Sequence, residues 1–347
     1  MKKKTAIVIL NWNGQKLLER FLPPLIHNTL LTDADIIVAD NGSTDGSVAF
    51  VKNKFSTVQL RTLDKNYGFA EGYNRVIVGL TGYKYVVLLN SDVEVTANWL
   101  TPAVKYLDKH PEVSALQPKI LSQRQPAFFE YAGACGGFLD KNGYPLCRGR
   151  MLDVVEEDHK QYDTPIEVFW ASGACMFIRL QDYKDLGGLD EYFFAHQEEI
   201  DLCWRINARG KKVVCLPQSV VYHVGGATLQ VGNSRKTYLN FRNNLLMLYK
   251  NMPKQEYRRV MSVRWLLDYL SALHFLILGR FDDAGAIFRA RRDFHRMKSY
   301  HKQLRKNNLT HTTQTAISGI LPKSLIWEFY FRRKKTFSSW EVETQTI

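Results

Sequence analysis

The sequence of 347 residues has few cysteines, and they follow no recognisable spacing. The five cysteines are an odd number and none belongs to a CxxC pair; they are Cys135, Cys147, Cys175, Cys203 and Cys215. This usage argues against a disulfide framework and against a thiolate zinc site. We therefore expect the chain to reside in a reducing compartment.

The sequence also lacks a long apolar run, an internal repeat and a low-complexity tract. No segment reaches the roughly 18 uninterrupted apolar residues of a spanning helix, so none is predicted. The apolar stretch 6–10 is too short for a secretory signal and predicts a buried strand. Residues 265–278 are strongly apolar but contain Asp268 and His274, which favours a position at a membrane interface. The alternative is a helix that packs on the protein with its basic side chains solvated.

Acidic residues are scarce in the C-terminal third. The chain has net charge +13, and residues 235–347 hold 22 Lys+Arg and 8 Asp+Glu, a net +14. Residues 1–234 hold 25 and 26, a net −1. A basic extension of this kind suits an anionic membrane surface or nucleic acid. No nucleic-acid readout motif is present, so we favour the membrane surface and predict no nucleic-acid partner.

Strand-like and helix-like segments alternate along the first 120 residues. The strand-like runs are 5–10, 35–40, 58–63, 83–90 and 113–120, and helix-like segments at 15–29, 44–54, 69–80 and 97–109 separate them. Several runs are apolar throughout, as expected for strands covered on both faces. The pattern predicts an α/β fold with a mostly parallel sheet flanked by helices. Residues 121–196 are predicted to cover the sheet edge, and 212–224 to form a further strand pair.

Polar segments follow four consecutive predicted strands. They read NWNG, DNGSTDG, DKNYGFAEGYN and NSDVE, and each combines Asn or Asp with small or polar neighbours. One such segment would be an ordinary turn. Ligands of open α/β sheets bind beyond the carboxyl ends of the strands, so four such segments on one edge predict a shared site.

Two carboxylates, Asp92 and Glu94, lie at the end of the apolar run 83–90. Carboxylates at the end of a buried strand need a partner, because an unpaired buried charge is costly. A divalent cation with oxygen ligands would supply it.

The stretch HQEEIDLCWR places Glu198, Glu199 and Asp201 beside apolar residues. A structural explanation is available: a helix over 197–209 would have these carboxylates in its first turn, where the helix dipole favours them. Asp201 and Arg205 would form an i,i+4 ion pair. The residues alone leave this explanation and a functional one open.

Taken in order, IVILNWNG, IIVADNGSTDGS, NYGFAEGYN, LLNSDVEV, GGLDEYFFAHQEEIDLCWR and YHVGGAT resemble the family-2 inverting glycosyltransferases of GT-A fold, in particular their bacterial rhamnosyltransferase-like branch. The resemblance covers about residues 4–245. It implies a GT-A catalytic domain at 1–234. The charge and helix-like pattern of residues 235–347 predict a basic helical extension that associates with the membrane surface.

The resemblance also implies a set of donor-binding residues, which are Asn11, Asn13, Asp40, Asp45, Asn66, Gly68, Asn74 and Asn90. The family's metal motif D-x-D aligns either with 90–92 or with 92–94. Asp92 is common to both alignments, Glu94 belongs to one, and a histidine after the last core strand corresponds to His223. These residues would hold Mg²⁺ or Mn²⁺ on the donor diphosphate.

Within the family's E-D-x-D segment, Glu199 matches the catalytic base, although aspartate is more usual there. Glu198, Asp201 and Arg205 would support it, and the apolar neighbours would raise the pKa of the base. Trp170 either stacks on the acceptor sugar or belongs to the core.

The function implied is metal-dependent transfer, with inversion, of a sugar from a UDP- or dTDP-sugar to a hydroxyl of a glycan or lipid-linked acceptor in cell-surface polysaccharide synthesis. The expected location is cytoplasmic, peripheral at the inner face of the cell membrane. A nucleotide-sugar-binding protein without activity and a nucleic-acid-binding protein are the alternatives.

Overall fold

The computed structural model describes residues 3–29, 33–225, 233–314 and 316–340. The strands are β1 Thr5–Asn11, β2 Ala34–Asn41, β3 Gln59–Leu63, β4 Tyr85–Asn90, β5 Val93–Val95, β6 Val113–Ser122, β7 Gly137–Asp140, β8 Pro145–Cys147, β9 Arg150–Met151, β10 Val154–Val155, β11 Ile166–Glu167, β12 Cys175–Arg179, β13 Lys212–His223 and β14 Ile320–Leu321. The α-helices are α1 Gln15–Thr29, α2 Ser47–Lys54, α3 Gly68–Ile77, α4 Leu100–Lys109, α5 Leu180–Asp185, α6 Glu198–Ala208, α7 Ser234–Asn251, α8 Lys254–Ile277, α9 Phe281–Met297 and α10 Lys302–Thr310.

A mixed sheet forms the centre of the described fold. Its strand order is β11-β13-β6-β12-β4-β1-β2-β3, and β5 pairs with β13. The neighbours β4, β1, β2 and β3 run parallel, as do β6 and β13. The predicted α/β class with a mostly parallel sheet flanked by helices is confirmed.

The central strands are apolar throughout because helices cover both faces of the sheet. Successive side chains of a strand point to opposite faces. Along β1, Ala6 and Val8 pack into the core shared with α3 and α6, whereas Ile7 and Ile9 pack into the core shared with α1 and α4. Two separate cores therefore hold the strands in register and bring their carboxyl ends to one edge.

Part of the segment expected to cover the sheet edge lies instead in the middle of the sheet. Strand β12 runs antiparallel to both β4 and β6 and fills the position between them. The expectation was therefore wrong for β12. Its apolar sequence indicates a buried strand, but it does not specify which strands β12 pairs with. The expected strand pair at 212–224 is one strand, β13, whose register shifts between Leu216 and Val220.

A second sheet links the basic extension to the rest of the protein. Its order is β10-β9-β8-β7-β14, and β14 comes from near the C-terminus. Helix α7 packs on α6 and on α9. Residues 235–340 therefore pack directly against the part of the chain that carries the predicted site, apart from residue 315, which lies outside the described residues.

Helix α8 is longer and more exposed than the sequence suggested. Among the described residues, it alone has the length, 24 residues, and the apolar composition to cross a membrane. Many of its large apolar side chains are exposed. The sequence-based expectation considered residues 265–278 alone and so underestimated the helix.

Candidate active site

The predicted polar segments do meet at one edge of the sheet. In the parallel ladder, Asn11 at the end of β1 lies opposite Asp40 in β2, and Leu10 lies opposite Asn90 at the end of β4. These ends are adjacent because the strands run parallel and stop at the same level.

The ends of β1 and β2 are joined by buried hydrogen bonds. The Asn11 amide donates to Asp40 Oδ1 at 3.0 Å and to Ser43 Oγ at 3.3 Å. The Ser43 backbone N–H donates to the other Asp40 oxygen at 2.9 Å. Asp40 is thus an organised carboxylate at a strand end, in a position suited to a nucleoside.

The next turn is organised by Asn13 and Asp45. Asn13 has a left-handed backbone, with φ of 49°, and its side-chain oxygen accepts from the Thr44 N–H at 2.7 Å. Asp45 accepts from the backbone N–H of Gln15 and Ser47. Burial opposes ionisation of Asp45, but the hydrogen bonds from Ser47 and the backbone hold its pKa below its usual value.

Residues Asn66 and Gly68 begin α3 beside this turn. The Asn66 side-chain oxygen accepts from the Gly68 N–H at 2.8 Å. Gly68 has φ of +77°, and a Cβ there would lie 2.5 Å from the Phe194 ring. Only glycine therefore allows this close approach.

Asn74 has a different environment from the other predicted donor residues. Its side-chain nitrogen donates to the Leu189 carbonyl at 2.8 Å, and its oxygen accepts from the Leu189 N–H and the Tyr183 hydroxyl. This amide is used within the protein, which favours a bracing role over contact with a donor.

The predicted metal ligands Asp92 and His223 are in contact. His223 Nε2 lies 3.1 Å from Asp92 Oδ1, and the antiparallel pairing of β5 with β13 places Glu94 opposite Tyr222. The other ring nitrogen of His223 lies 3.3 Å from Glu130 Oε1. Burial opposes a charged ring, but Glu130 and Asp92 raise the pKa of His223 to about 10.

The separation of Asp92 and His223 suits a divalent cation, which the ring of His223 would bind only in its neutral form. Two adjacent ligands of an octahedral shell with bonds of about 2.1 Å lie about 3 Å apart, which is close to the Asp92–His223 separation. Among the described residues, no three His, Cys, Asp or Glu side chains form a complete metal-binding group. Magnesium sites commonly use one or two carboxylates and take further ligands from substrate phosphates and water. The incomplete protein shell is therefore compatible with a metal that binds together with the donor.

The segment before α6 has an unusual backbone. Phe194, His196 and Gln197 have positive φ angles of 65°, 71° and 74°. Such conformations cost about 1–3 kcal/mol each in non-glycine residues and persist only where the surroundings impose them. They place Glu198 and Glu199 at the start of α6.

The two glutamates differ in exposure. Glu198 is buried and Glu199 is partly exposed, and one oxygen of each has no hydrogen-bond partner within the described structure. Burial raises the pKa of Glu199 to about 7, and burial and the neighbouring Glu199 raise the pKa of Glu198 well above its usual value. Glu199 therefore has the properties of a general base near neutral pH.

Glu199 lies close to the residues at the end of β4. A Cβ on Gly173 would lie 3.8 Å from the Glu199 Cβ and 3.1 Å from the Phe69 ring. The next residue, Ala174, accepts a hydrogen bond from the Asn90 N–H at 2.9 Å. The candidate base thus lies beside Gly173, whose neighbour Ala174 is hydrogen-bonded to Asn90 at the end of β4.

Asp201 and Arg205 form the predicted ion pair. Arg205 Nε donates to Asp201 Oδ2 at 3.0 Å, and its other nitrogens donate to the Leu186 and Gly188 carbonyls. Lys250 of α7 donates to Asp201 at 2.9 Å and to Asp190 at 2.5 Å. These groups hold α6 in place and do not reach the site themselves.

Trp170 lies in the core. Its exposed fraction is 3%, its indole N–H donates to the Phe138 carbonyl at 3.1 Å, and it packs beside Gly137. The structure therefore favours the core alternative over stacking on an acceptor.

Sequence reasoning missed two groups at this site. Glu130 had no recognisable motif, and only the fold brings it to His223. Asn243 and Asn244 of α7 are buried, and Asn243 donates to the carbonyls of Phe193, Ala195 and His196. The adjacent asparagines directly precede the apolar run 245–248, but the sequence does not show that they are buried or what they contact. Of the motif YHVGGAT, residues 226–228 lie outside the described residues.

The chain is similar in sequence to known proteins. The family description "Glycosyl transferase family 2" matches residues 6–178, about half of the chain. The chain is 26% identical over 243 residues to the N-acetylglucosaminyl-diphospho-decaprenol L-rhamnosyltransferase of Mycobacterium tuberculosis, a match that covers 62% of this chain and 75% of that protein.

Two solved structures share the fold. The crystal structure of GalNAc-T7 with UDP, GalNAc and Mn²⁺ superposes with a TM-score of 0.61 at 16% identity, covering 94% of this chain but only 56% of that one. The mannosyltransferase PcManGT from Pyrobaculum calidifontis, solved with GDP-Man and Mn²⁺, gives 0.51 at 15% identity, covering 90% and 84%. At these identities the likeness concerns the fold alone.

The fold and the arrangement of the strand ends define a glycosyltransferase of GT-A fold. The chain belongs to glycosyl transferase family 2.

Proposed function

We propose that this glycosyltransferase moves a sugar from a UDP- or dTDP-sugar to an acceptor hydroxyl, with inversion at the anomeric carbon. The acceptor oxygen attacks from the face opposite the diphosphate, the new glycosidic bond forms as the bond to the diphosphate breaks, and the hydroxyl proton passes to a base. One carboxylate suffices for this proton transfer.

The observation that carries the proposal is the environment of Glu199. One carboxylate oxygen is buried without a hydrogen-bond partner, and this burial raises the pKa of Glu199 to about 7. The residue as a whole is partly exposed, and it lies next to Gly173 and Phe69. It is therefore ionised often enough to accept a proton and basic enough to hold it. Glu198 has no comparable access.

Asp92 and His223 would hold a divalent cation, Mg²⁺ or Mn²⁺, with Glu94 as a further candidate. When bound, such an ion neutralises the charge that develops on the departing diphosphate. Glu130 would orient His223 from the opposite side of the ring, as carboxylates commonly do for ligating histidines.

Asp40, Asn11, Asn13 and Asp45 would bind the base and ribose of the donor, because they line the ends of β1 and β2 in an organised hydrogen-bond network. Asn66 and Gly68 would extend this site at the start of α3, and Asn90 would complete it at the end of β4.

The acceptor is proposed to be a lipid-linked glycan of cell-surface polysaccharide synthesis. The name of the mycobacterial relative specifies a diphospho-decaprenol-linked sugar as its substrate and L-rhamnose as the sugar transferred. The basic extension, residues 235–347, would keep the enzyme at the inner face of the membrane, where such acceptors are found. The membrane surface would account for the basic charge of the extension, and we propose no nucleic-acid partner.

The test is nucleoside diphosphate release from a panel of nucleotide sugars with Mn²⁺ and a polyprenyl diphosphate-linked sugar. We expect Glu199→Gln to lower transfer by roughly 10²-fold or more, the usual contribution of a general base. Glu191→Gln, which alters an exposed carboxylate of the same segment, is the matched control. Near-normal turnover by the Glu199 variant would defeat the assignment.

A further inference from the structure

From residue 260 onward, helix α8 presents its charged side chains to the protein and most of its apolar side chains to the outside. Between residues 260 and 279 the only Asp, Glu, Lys or Arg residues are Arg264 and Asp268. Both are buried, with exposed fractions of 1% and 0%. This is the reverse of the usual arrangement on a water-facing helix, whose polar residues lie outside.

The inner face of α8 is fixed to the catalytic part of the protein. Arg264 Nε donates to Asp268 at 3.0 Å, and Arg291 of α9 donates to the other Asp268 oxygen at 2.6 Å. Arg264 also donates to the Asn244 side chain in α7, and the Tyr144 hydroxyl lies 3.3 Å from Asp268. The buried charges are therefore paired and hydrogen-bonded.

The outer face is largely apolar, apart from the exposed Ser262 and His274. Val263, Leu266, Leu270, Leu273 and Ile277 recur at helical spacing and share one side of α8. The large apolar side chains exposed on α8, on the turn after it and on α9 are Val263, Trp265, Leu266, Leu270, Leu273, Leu276, Ile277, Leu278, Phe281 and Phe288. We call this set the α8 apolar surface. Single exposed apolar residues are ordinary, but a contiguous patch of this kind marks an interaction site.

Arginines border the α8 apolar surface. Arg258 and Arg259 lie on the outward side of α8 one turn before it, Arg280 follows it, and Arg289 lies on α9; all four are exposed. Residues 254–298 carry ten Lys+Arg and five Asp+Glu. In a symmetric pair of chains a two-fold interface would bring the same patch of both subunits together, so two cationic borders would face each other and repel. An apolar surface with a cationic border complements an anionic lipid bilayer.

Packing decides how α8 would meet the bilayer. A spanning α8 would have to leave α9, Tyr144 and Asn244 and would expose Arg264 and Asp268 to hydrocarbon, where charged groups are expensive. A helix that lies in the plane of the interface keeps those contacts and buries only its outer face. Trp265 at the edge of that face suits the headgroup region, where tryptophan is enriched.

We infer that the α8 apolar surface inserts into the anionic inner leaflet with α8 parallel to the membrane plane, as a monotopic anchor. This inference rests on the membrane location in the proposed function and gives that location a specific surface. Helix α7 connects the anchor to the active site, because Asn244 contacts Arg264 as well as Gln197 before the candidate base. A membrane-embedded acceptor would then reach a site held at a defined height above the bilayer.

The experiment is co-sedimentation of the full-length protein with phosphatidylcholine vesicles that contain or lack about a quarter phosphatidylglycerol. The variant Leu270→Glu/Leu273→Glu places two charges on the α8 apolar surface, at positions whose exposure makes them tolerant of charge. The control is Val78→Glu, at an exposed apolar residue after α3. Circular dichroism checks the fold, and transfer to a water-soluble acceptor analogue is measured in parallel.

We expect the double variant to bind anionic vesicles at least tenfold more weakly, while Val78→Glu binds like wild type and all three proteins transfer equally to the soluble acceptor. Brominated lipids should quench part of the tryptophan fluorescence of the wild type, and this quenching should be lost in Trp265→Phe. Equal vesicle binding by wild type and the double variant overturns the inference. Resistance of the wild type to carbonate extraction would indicate a spanning helix and would also overturn the inference. So would a wild-type dimer that is lost in the double variant alone, because the α8 apolar surface would then be a subunit interface. If the wild type transfers sugar to none of the acceptors, the proposed function is refuted, but the result on vesicle binding still stands.

Discussion

Replacing Asn243 by alanine should slow the chemical step more than it weakens substrate binding. The side chain is 0% exposed, and its amide nitrogen donates to three backbone carbonyls, Phe193 at 3.0 Å, Ala195 at 2.9 Å and His196 at 2.7 Å. These carbonyls belong to the left-handed segment that leads into Glu199. Asn243 is thus a positioning residue for the candidate base and does not touch substrate.

The magnitude follows from the contacts that are lost. The amide has two protons, and each buried acceptor left without a donor costs about 1–3 kcal/mol, so the free energy of unfolding should fall by about 2–6 kcal/mol. The segment stores about 1–3 kcal/mol of backbone strain at each left-handed residue and relaxes once it is released. A displacement of about 1 Å at a reacting group can cost about 10²-fold in rate, so a loss of that order in kcat is expected.

The assay is steady-state transfer together with urea unfolding. The matched control is Asn207→Ala, which removes a buried asparagine at the far end of α6 whose amide donates to the Phe169 carbonyl at 2.8 Å. Both variants should lose stability, but only Asn243→Ala should lose kcat, with a smaller change in the KM for the donor. If the two variants keep the same kcat, Asn243 merely stabilises the fold and the positioning argument fails.

Three further predictions concern charged groups. The transfer rate should fall as the pH drops through about 7, because only ionised Glu199 accepts the proton. The pKa of Glu199 in the folded state is raised from 4.5 to about 7, so the free energy of unfolding should decrease as the pH rises between these two values. Glu199→Gln should abolish this part of the stability profile. Mn²⁺ with the nucleoside diphosphate should stabilise wild type by about 2.7 kcal/mol at a hundredfold excess over Kd, and an equal thermal shift in Asp92→Ala would contradict the metal assignment. Lys250→Met leaves Asp190 and Asp201 without their shared cation and should cost roughly 3 kcal/mol in urea unfolding; a change within experimental error would show that the remaining partners suffice.

The parts of the site that the sequence predicted are those built from short continuous segments. Asn11, Asp40 and Asn90 follow apolar runs whose parallel arrangement was itself predictable, so their meeting at one sheet edge followed from the pattern. The base candidate Glu199 was recognised through its motif. The donor role expected of Asn74 and the stacking role expected of Trp170 are not favoured, because burial and hydrogen bonding depend on neighbours that are remote in the chain.

By itself, the sequence determined the α/β alternation, the strand-end motifs and the family, since hydrophobic periodicity and motif order are properties of neighbouring residues. Only the tertiary structure decided the position of β12 within the sheet, the contact of Glu130 with His223, and the hydrogen bonds from Asn243 to the segment before Glu199. It also decided that α8 buries its charges and exposes its apolar face. Each of these depends on groups that lie far apart in the chain, and their pairing is set by how the two cores and the second sheet pack together.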